Sequence, residues 1–179
     1  SVEKRISRSE IVVLVLLILI IGAGAFLRFR GLNWDSFTHI HPDERFLTMV
    51  ETSIQLPSSV GEYFNTAESP LNPVNTGHSF FVYGTLPIFL VRYAAEGLGR
   101  IGYDEVHLVG RALAAGFDVL TILLLYLLGR KMSGKWIGIQ AAAFYAFSVL
   151  PIQHSHFFVV DIFANTFLVA GFLFVFRAQ

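Results

Sequence analysis

The sequence predicts an all-α membrane protein with about four transmembrane helices and a long outer loop that carries amphipathic helices on the membrane surface. Hydrophobic residues make up 54% of the chain and charged residues only 15%, whereas soluble domains average about 25% charged residues. Four apolar runs approach the roughly 17–25 residues that a spanning helix needs. Lysines and arginines lie in the short segments at the ends of these runs, and their distribution predicts the orientation of the helices in the membrane.

We expect the spans at about residues 9–29, 106–129, 135–151 and 157–177, as one module covering residues 1–179. Residues 23–25 resemble a signal-peptide cleavage site, but a signal core is normally about 7–15 residues, which favours a retained first span. Arg111 and Asp118 are seven residues apart on one face of the second span, where they are expected to pair with each other or with other helices. The third span is short, and Pro151 is expected to end it.

The charged flanks predict a cytoplasmic N-terminus and an outer loop at residues 31–105. The basic residues that support this orientation are Lys4, Arg5 and Arg8 before span one, Arg130, Lys131 and Lys135 between spans two and three, and Arg177 after span four. The chain begins with Ser1 rather than Met, so we expect it to be part of a longer protein.

Two helices are predicted in the outer loop, both lying along the membrane surface. Pro42 suits the first position of a helix, and apolar residues follow it at helical spacing. A second helix is expected at about residues 86–98, with Arg92 and Glu96 as an i,i+4 pair. Residues 57–83 are rich in Ser, Asn, Gly and Pro and predict a loop.

Asp43 and Glu44 are the first candidates for chemistry. In the first turn of a helix, the free backbone amides favour ionised carboxylates, which can then act as a general base or a metal ligand. The alternative is ordinary helix capping. The flanking His41 and Arg45, together with His39, favour a substrate site.

A second polar cluster precedes the fourth span. His154 and His156 are expected in a tight outer turn, and Asp161 follows about one turn into the span. An ionisable residue in a spanning helix usually faces a cavity, although snorkelling towards the interface is the alternative. Arg28 at the outer end of span one could bind a phosphate or anchor the helix among the headgroups. A divalent metal site at Asp43 and Asp161 is left open.

Composition excludes several classes of function. The formal net charge is zero and gives no basis for nucleic-acid binding. The chain has no cysteine, so disulfides, thiolate metal sites and cysteine nucleophiles are excluded.

The order of these motifs resembles the GT-C integral-membrane glycosyltransferases that use a polyprenyl-phosphate sugar donor. The most similar groups are the protein O-mannosyltransferases, the lipid A aminoarabinose transferases and the bacterial phospholipid-carrier-dependent enzymes. The motifs that carry the resemblance are LRFRGL at 27–32, HPDERF at 41–46, VYGTLP at 82–87, VGRAL at 109–113, YLLGR at 126–130, SVLP at 148–151 and HSHFFVVD at 154–161. They extend over almost the whole chain, which would match the N-terminal part of a family member.

The resemblance implies an inverting transfer at the outer face of a membrane, in which Asp43, with Glu44 beside it, is the base that activates the acceptor. Asp161 would orient substrate or a metal, and His156 stands where many relatives have a basic residue. The expected partners are a polyprenyl-phosphate sugar, the bilayer and an acceptor that is a lipid, glycan or protein. The expected location is a bacterial plasma membrane.

Two other classes of function fit parts of the sequence. A transporter or channel subunit could use Arg111, Asp118 and Asp161 as an ion relay, but such acids are expected near the bilayer midplane in repeated halves. A non-catalytic membrane scaffold would tolerate neutralisation of Asp43 and Glu44.

Overall fold

The computed structural model describes residues 7–178, and every regular element among them is a helix. This confirms the all-α prediction for that part of the chain. Lys4 and Arg5, which the orientation argument used, lie outside the described residues, as does the side chain of Arg177. The elements are α1 Arg8–Phe29, α2 Pro42–Ser53, α3 Val60–Phe64, a 3-10 helix Pro73–Thr76, α4 Thr85–Leu98, α5 Tyr103–Ser133, α6 Lys135–Phe147, α7 Val149–His154 and α8 Val160–Ala178.

Two of these helices, α1 and α5, are long and apolar enough to cross a membrane. They contain 22 and 31 residues and correspond to the first and second predicted spans. Helix α6 has 13 residues, which at 1.5 Å per residue is about 20 Å and shorter than a hydrocarbon core of about 30 Å. The apolar part of α8, Val160–Phe176, also falls among the shorter apolar helices.

Local sequence explains where the first helices begin. Ser7 and Glu10 form a capping box at the start of α1, with each side chain accepting a hydrogen bond from the other residue's backbone. Pro42 opens α2 with Asp43 and Glu44 in its first turn, as the sequence predicts. Helix α4 also matches its prediction, and the Arg92–Glu96 pair forms at 2.8 Å. The predicted loop at 57–83 contains α3 and the 3-10 helix.

The third predicted span is interrupted one turn earlier than Pro151. Ser148 has an extended backbone with ψ 131° and separates α6 from α7. The prediction that Pro151 ends a helix is therefore wrong. Pro151 lies in the first turn of α7. A proline is tolerated there because the first four backbone N–H groups of a helix have no helical acceptor.

The described chain divides into two compact units. The first unit comprises residues 7–30, 115–155 and 164–178 and is built on the packing of α1 against α6. Small residues permit close approach, because a Cβ on Gly24 would lie 2.6 Å from Ile122 Cδ1 and one on Gly138 would lie 2.5 Å from the Tyr126 carbonyl. Its apolar core contains Val13, Leu17, Ile122, Tyr126, Ile139, Ala142 and Ala146.

The second unit comprises residues 31–114 and 156–163 and contains α2 and α4 packed on each other. In α2, Leu47, Val50 and Ile54 are buried and Phe46 is half-buried. Fully buried members of this core are Leu47, Val50, Ile54, Ile88, Val91, Ala95, Val106 and Phe158. This core fixes the first turn of α2, which carries the predicted site.

Candidate active site

A buried arginine organises the polar interior of the second unit. Arg111 is fully buried and donates to both carboxylate oxygens of Glu44 at 2.7 and 2.6 Å. It also donates to both oxygens of Asp35 at 2.9 Å and to the carbonyl of Leu32 at 2.6 Å. A planar guanidinium suits this double bidentate geometry. Of the two pairings expected for Arg111, the one with another helix is confirmed through Glu44 of α2, whereas Asp118 pairs with Arg28 and not with Arg111.

Glu44 is held by this network and by the segment that leads into α8. Its Oε1 also accepts the backbone N–H of Phe158 at 2.7 Å, and the residue has no exposed surface. These partners compensate the burial of the carboxylate and link three segments of the chain. Glu44 thus has no face open to a substrate in this structure, in contrast to its neighbour Asp43.

Asp35 stabilises a strained turn that precedes α2. Ser36, Phe37 and His39 have φ angles of 49°, 66° and 49°, in a region that side chains other than glycine rarely adopt. Asp35 Oδ2 accepts the His39 backbone N–H at 3.1 Å. The hydrogen bonds from Arg111 lower the pKa of Asp35, with burial acting in the opposite direction.

The hydroxyl of Tyr83 is hydrogen-bonded to Asp43, and Asp161 is near enough to act on it electrostatically. The Tyr83 hydroxyl donates to Asp43 Oδ1 at 2.9 Å, and this bond is the main cause of the raised pKa of Tyr83. Burial and the charge of Asp43 add to the shift, and Asp161 is near enough to contribute as well. Asp43 and Tyr83 are half-buried and Asp161 is exposed, so this group is accessible. Two acids that are 118 residues apart in the sequence therefore both act on Tyr83.

An aromatic cluster lies beside the first turn of α2. The ring of His41 is 4.7 Å from that of Phe157, and Trp34 meets the same Phe157 edge-on at 5.4 Å. The Trp34 indole N–H donates to the carbonyl of His156 at 3.3 Å. His41 Nδ1 is buried and has no hydrogen-bond partner among the described residues. His41 and His156 therefore belong to the same unit as Asp43, where Arg45 is exposed on α2.

Arg28 and His154 belong to the first unit and have different surroundings. Arg28 is fully buried and donates from Nε to Asp118 at 2.5 Å. Its remaining nitrogens donate to the carbonyls of Gly24, Ala146 and Tyr145. With its donors engaged inside the fold, Arg28 presents no surface to a phosphate or to lipid headgroups. His154 is half-buried and is the last residue of α7, so the prediction that it lies in a turn was wrong, whereas His156 does lie in a turn.

A metal site was left open by the sequence. Among residues 7–178 no group of three or more histidine, cysteine, aspartate or glutamate side chains is arranged to hold a metal ion. The two carboxylates beside Tyr83 could still contribute to a Mg²⁺ site, since Mg²⁺ is often bound through one or two carboxylates and keeps several waters.

Two residues of the site were missed by the sequence. Asp35 had no distinguishing pattern, although a buried Arg111 requires an acidic partner. Tyr83 lies within the VYGTLP motif, but only its contact with Asp43 identifies its place in the site. Comparison of the chain with protein-family models, curated proteins and solved structures finds no match.

Proposed function

We propose that this chain carries the acceptor-activating part of a GT-C-type glycosyltransferase that uses a polyprenyl-phosphate sugar. In this proposal α1, α5, α6 with α7, and α8 provide the four membrane crossings, with the N-terminus in the cytoplasm. Helices α2 and α4 lie on the outer face of the membrane. The site is then reached from the outer leaflet, where a lipid-linked donor presents its sugar.

The hydrogen bond from the Tyr83 hydroxyl to Asp43, with Asp161 near enough to act on the same hydroxyl, is the observation that supports the proposal. The Tyr83 O–H donates a hydrogen bond to Asp43. In the proposed reaction, the hydroxyl of the molecule that receives the sugar would donate to Asp43 in the same way. Asp43 Oδ2 makes no hydrogen bond within the described part of the chain. This oxygen can therefore accept a hydrogen bond from the hydroxyl of the substrate. A general base must lie within about 2.6–3.2 Å of the proton donor, and Asp43 already meets this condition for a hydroxyl.

The chemical step is a single inverting displacement. Asp43 takes the proton from the acceptor hydroxyl while its oxygen attacks the anomeric carbon of the donor. The bond between that carbon and the phosphate oxygen breaks, and polyprenyl phosphate leaves on the opposite face. If a divalent cation takes part, Asp43 and Asp161 would hold it, and it would supply charge stabilisation for the phosphate.

Glu44 has a positioning role in this proposal. Its bonds to Arg111 and to the Phe158 N–H connect α2 with the segment that leads into α8. This connection sets the separation between Asp43 and Asp161, both of which lie in the second unit.

Sugar transfer by membranes that contain the whole protein tests the proposal, using a panel of radiolabelled polyprenyl-phosphate sugars. Asp43→Asn should lower the rate about 10²–10⁴-fold, the usual contribution of a general base. Asp104→Asn is the matched control, because Asp104 is an exposed acid of the same unit. Protein levels are compared by immunoblot, and each reaction is repeated with EDTA to measure metal dependence.

The possible outcomes separate the candidate functions. Loss of transfer in Asp43→Asn alone supports Asp43 as the base. Equal transfer by parent and Asp43→Asn removes Asp43 from that role. Absence of transfer by the parent with every donor contradicts the enzyme proposal and favours a transporter subunit or a scaffold.

A further inference from the structure

The second unit contains a pocket away from the Asp43 site, between the end of α4 and the first half of α5. Its volume is about 360 Å³, within the ~300–1,000 Å³ that small-molecule pockets usually have. Apolar side chains form most of its wall, among them Leu98 from α4 and Leu108, Ala112 and Leu113 from α5. We call this the α4–α5 pocket.

The part of the wall that α5 contributes is a row of apolar side chains along the helix. Leu108 and Ala112 are four residues apart and share one helical face, and Leu113 follows directly after Ala112. They extend over about 7.5 Å of the helix axis at 1.5 Å per residue. Because α5 is one of the two helices that could cross a membrane, this wall would lie in the apolar layer just inside the membrane boundary.

Two hydrogen-bond donors line the pocket together with these apolar groups. Arg100 is exposed, and its guanidinium has no hydrogen bond or ion pair among the described residues. Its backbone is nevertheless fixed, because Gly99 at φ 64° ends α4 and the Arg100 N–H donates to the carbonyl of Ala95 at 2.8 Å. Asn33 uses its side-chain oxygen to accept the Phe37 N–H, which leaves its amide N–H groups without a partner within residues 7–178.

These features together are complementary to an amphiphile with an anionic head. The wall is apolar, both of its polar members are donors, and it includes no acidic side chain among the residues described. We infer that the α4–α5 pocket binds an anionic phospholipid of the bilayer, with the phosphate at Arg100 and Asn33 and an acyl chain along α5. This inference goes beyond the proposed transferase and does not depend on it.

The two tryptophans of the chain provide the test. Trp34 is next to Asn33 and is held by the His156 carbonyl, whereas Trp136 lies on α6. In a Trp136→Phe background, Trp34 fluorescence is measured for the whole protein in nanodiscs with increasing fractions of brominated phosphatidylglycerol or brominated phosphatidylcholine. We expect half-quenching at an about fivefold lower fraction of the anionic lipid, since one arginine near a charged surface contributes about 1 kcal/mol.

Three variants identify the origin of this preference. Arg100→Gln should remove the difference between the two lipids, whereas Arg8→Gln, which removes an exposed arginine from α1, should leave it unchanged. Ala112→Phe fills the pocket and should weaken quenching by both lipids. Equal quenching in the parent, or a preference that survives Arg100→Gln, would overturn the inference.

A competition experiment separates this lipid from the donor of the proposed reaction. Unlabelled phosphatidylglycerol should restore the fluorescence of the quenched protein, and inorganic phosphate should not. Displacement by polyprenyl phosphate at a much lower fraction would assign the pocket to the donor lipid instead. That result would overturn the phospholipid assignment while supporting the transferase, so the two proposals fail independently.

Discussion

Replacement of Gly110 by alanine should destabilise the protein, because this glycine lies directly against the ring of Phe158. A Cβ at position 110 would lie 2.7 Å from both Cδ1 and Cδ2 of Phe158 and closer still to its Cγ. The ring cannot retreat easily, since Phe158 is fully buried and its backbone N–H is bound by Glu44. The contact therefore also sets the path of the chain towards Asp161.

The change in the free energy of unfolding follows from two opposing contributions. Alanine in a helix interior is favoured over glycine by about 1 kcal/mol, whereas forcing a methyl into a packed core costs about 1–3 kcal/mol. Gly116→Ala in the same helix is the matched control, because nothing lies within 4 Å of a Cβ there. The two variants should thus differ by about 1–3 kcal/mol in the free energy of unfolding. At about 2–4 °C per kcal/mol for a chain of this length, the difference in Tm is about 2–12 °C.

Thermal unfolding in detergent, followed by circular dichroism, measures both variants and their combinations with Phe158→Leu. The smaller leucine should reduce the cost of Gly110→Ala, and the double-mutant cycle gives the coupling between the two positions. If Gly110→Ala is as stable as Gly116→Ala, or if Phe158→Leu leaves its cost unchanged, the contact with the ring is not the cause.

Two further predictions concern buried charges. Arg28→Met leaves the Asp118 carboxylate without its cation and should cost about 3–5 kcal/mol, whereas the double variant Arg28→Met/Asp118→Leu should cost clearly less; equal losses in thermal unfolding would contradict this. Glu51 is buried with both oxygens unpartnered among the described residues, and burial raises its pKa well above the ordinary 4.5 despite the opposing charge of Arg92. The folded state then holds the proton more tightly, so stability should fall as pH rises from about 4.5 through the folded pKa, by up to about 1.4 kcal/mol per pH unit. Glu51→Gln should remove this slope in denaturation at several pH values, and an unchanged slope would refute the assignment.

Helix positions were largely predictable from the sequence. The apolar run of α1, the start of α2 at Pro42 and the Arg92–Glu96 pair in α4 all depend on residues within a few positions of each other. Local interactions of this kind require only the helical repeat and the geometry of the helix ends. The break at Ser148 was missed, since no proline or glycine marks it.

The placement of the charged residues required the tertiary structure. Asp43 and Glu44 are adjacent in sequence and alike in chemistry, yet one reaches Tyr83 and the other is enclosed by Arg111. One position of difference in a helical turn rotates a side chain by about 100°, and what that direction meets depends on other segments. The carboxylate partners of Arg28 and Arg111 were likewise unpredictable, because they are 67 to 90 residues away in the sequence.

The sequence by itself determined that the described chain is helical and that acidic residues open α2 and α8. Of the four spans it predicted, the structure shows two helices long and apolar enough for a membrane. Only the tertiary structure decided which of those acids is accessible and which is buried in an ion pair. The physical reason is the range of the interactions. Periodicity and capping act within a turn of helix, whereas burial and charge pairing depend on segments that meet only when the chain has folded.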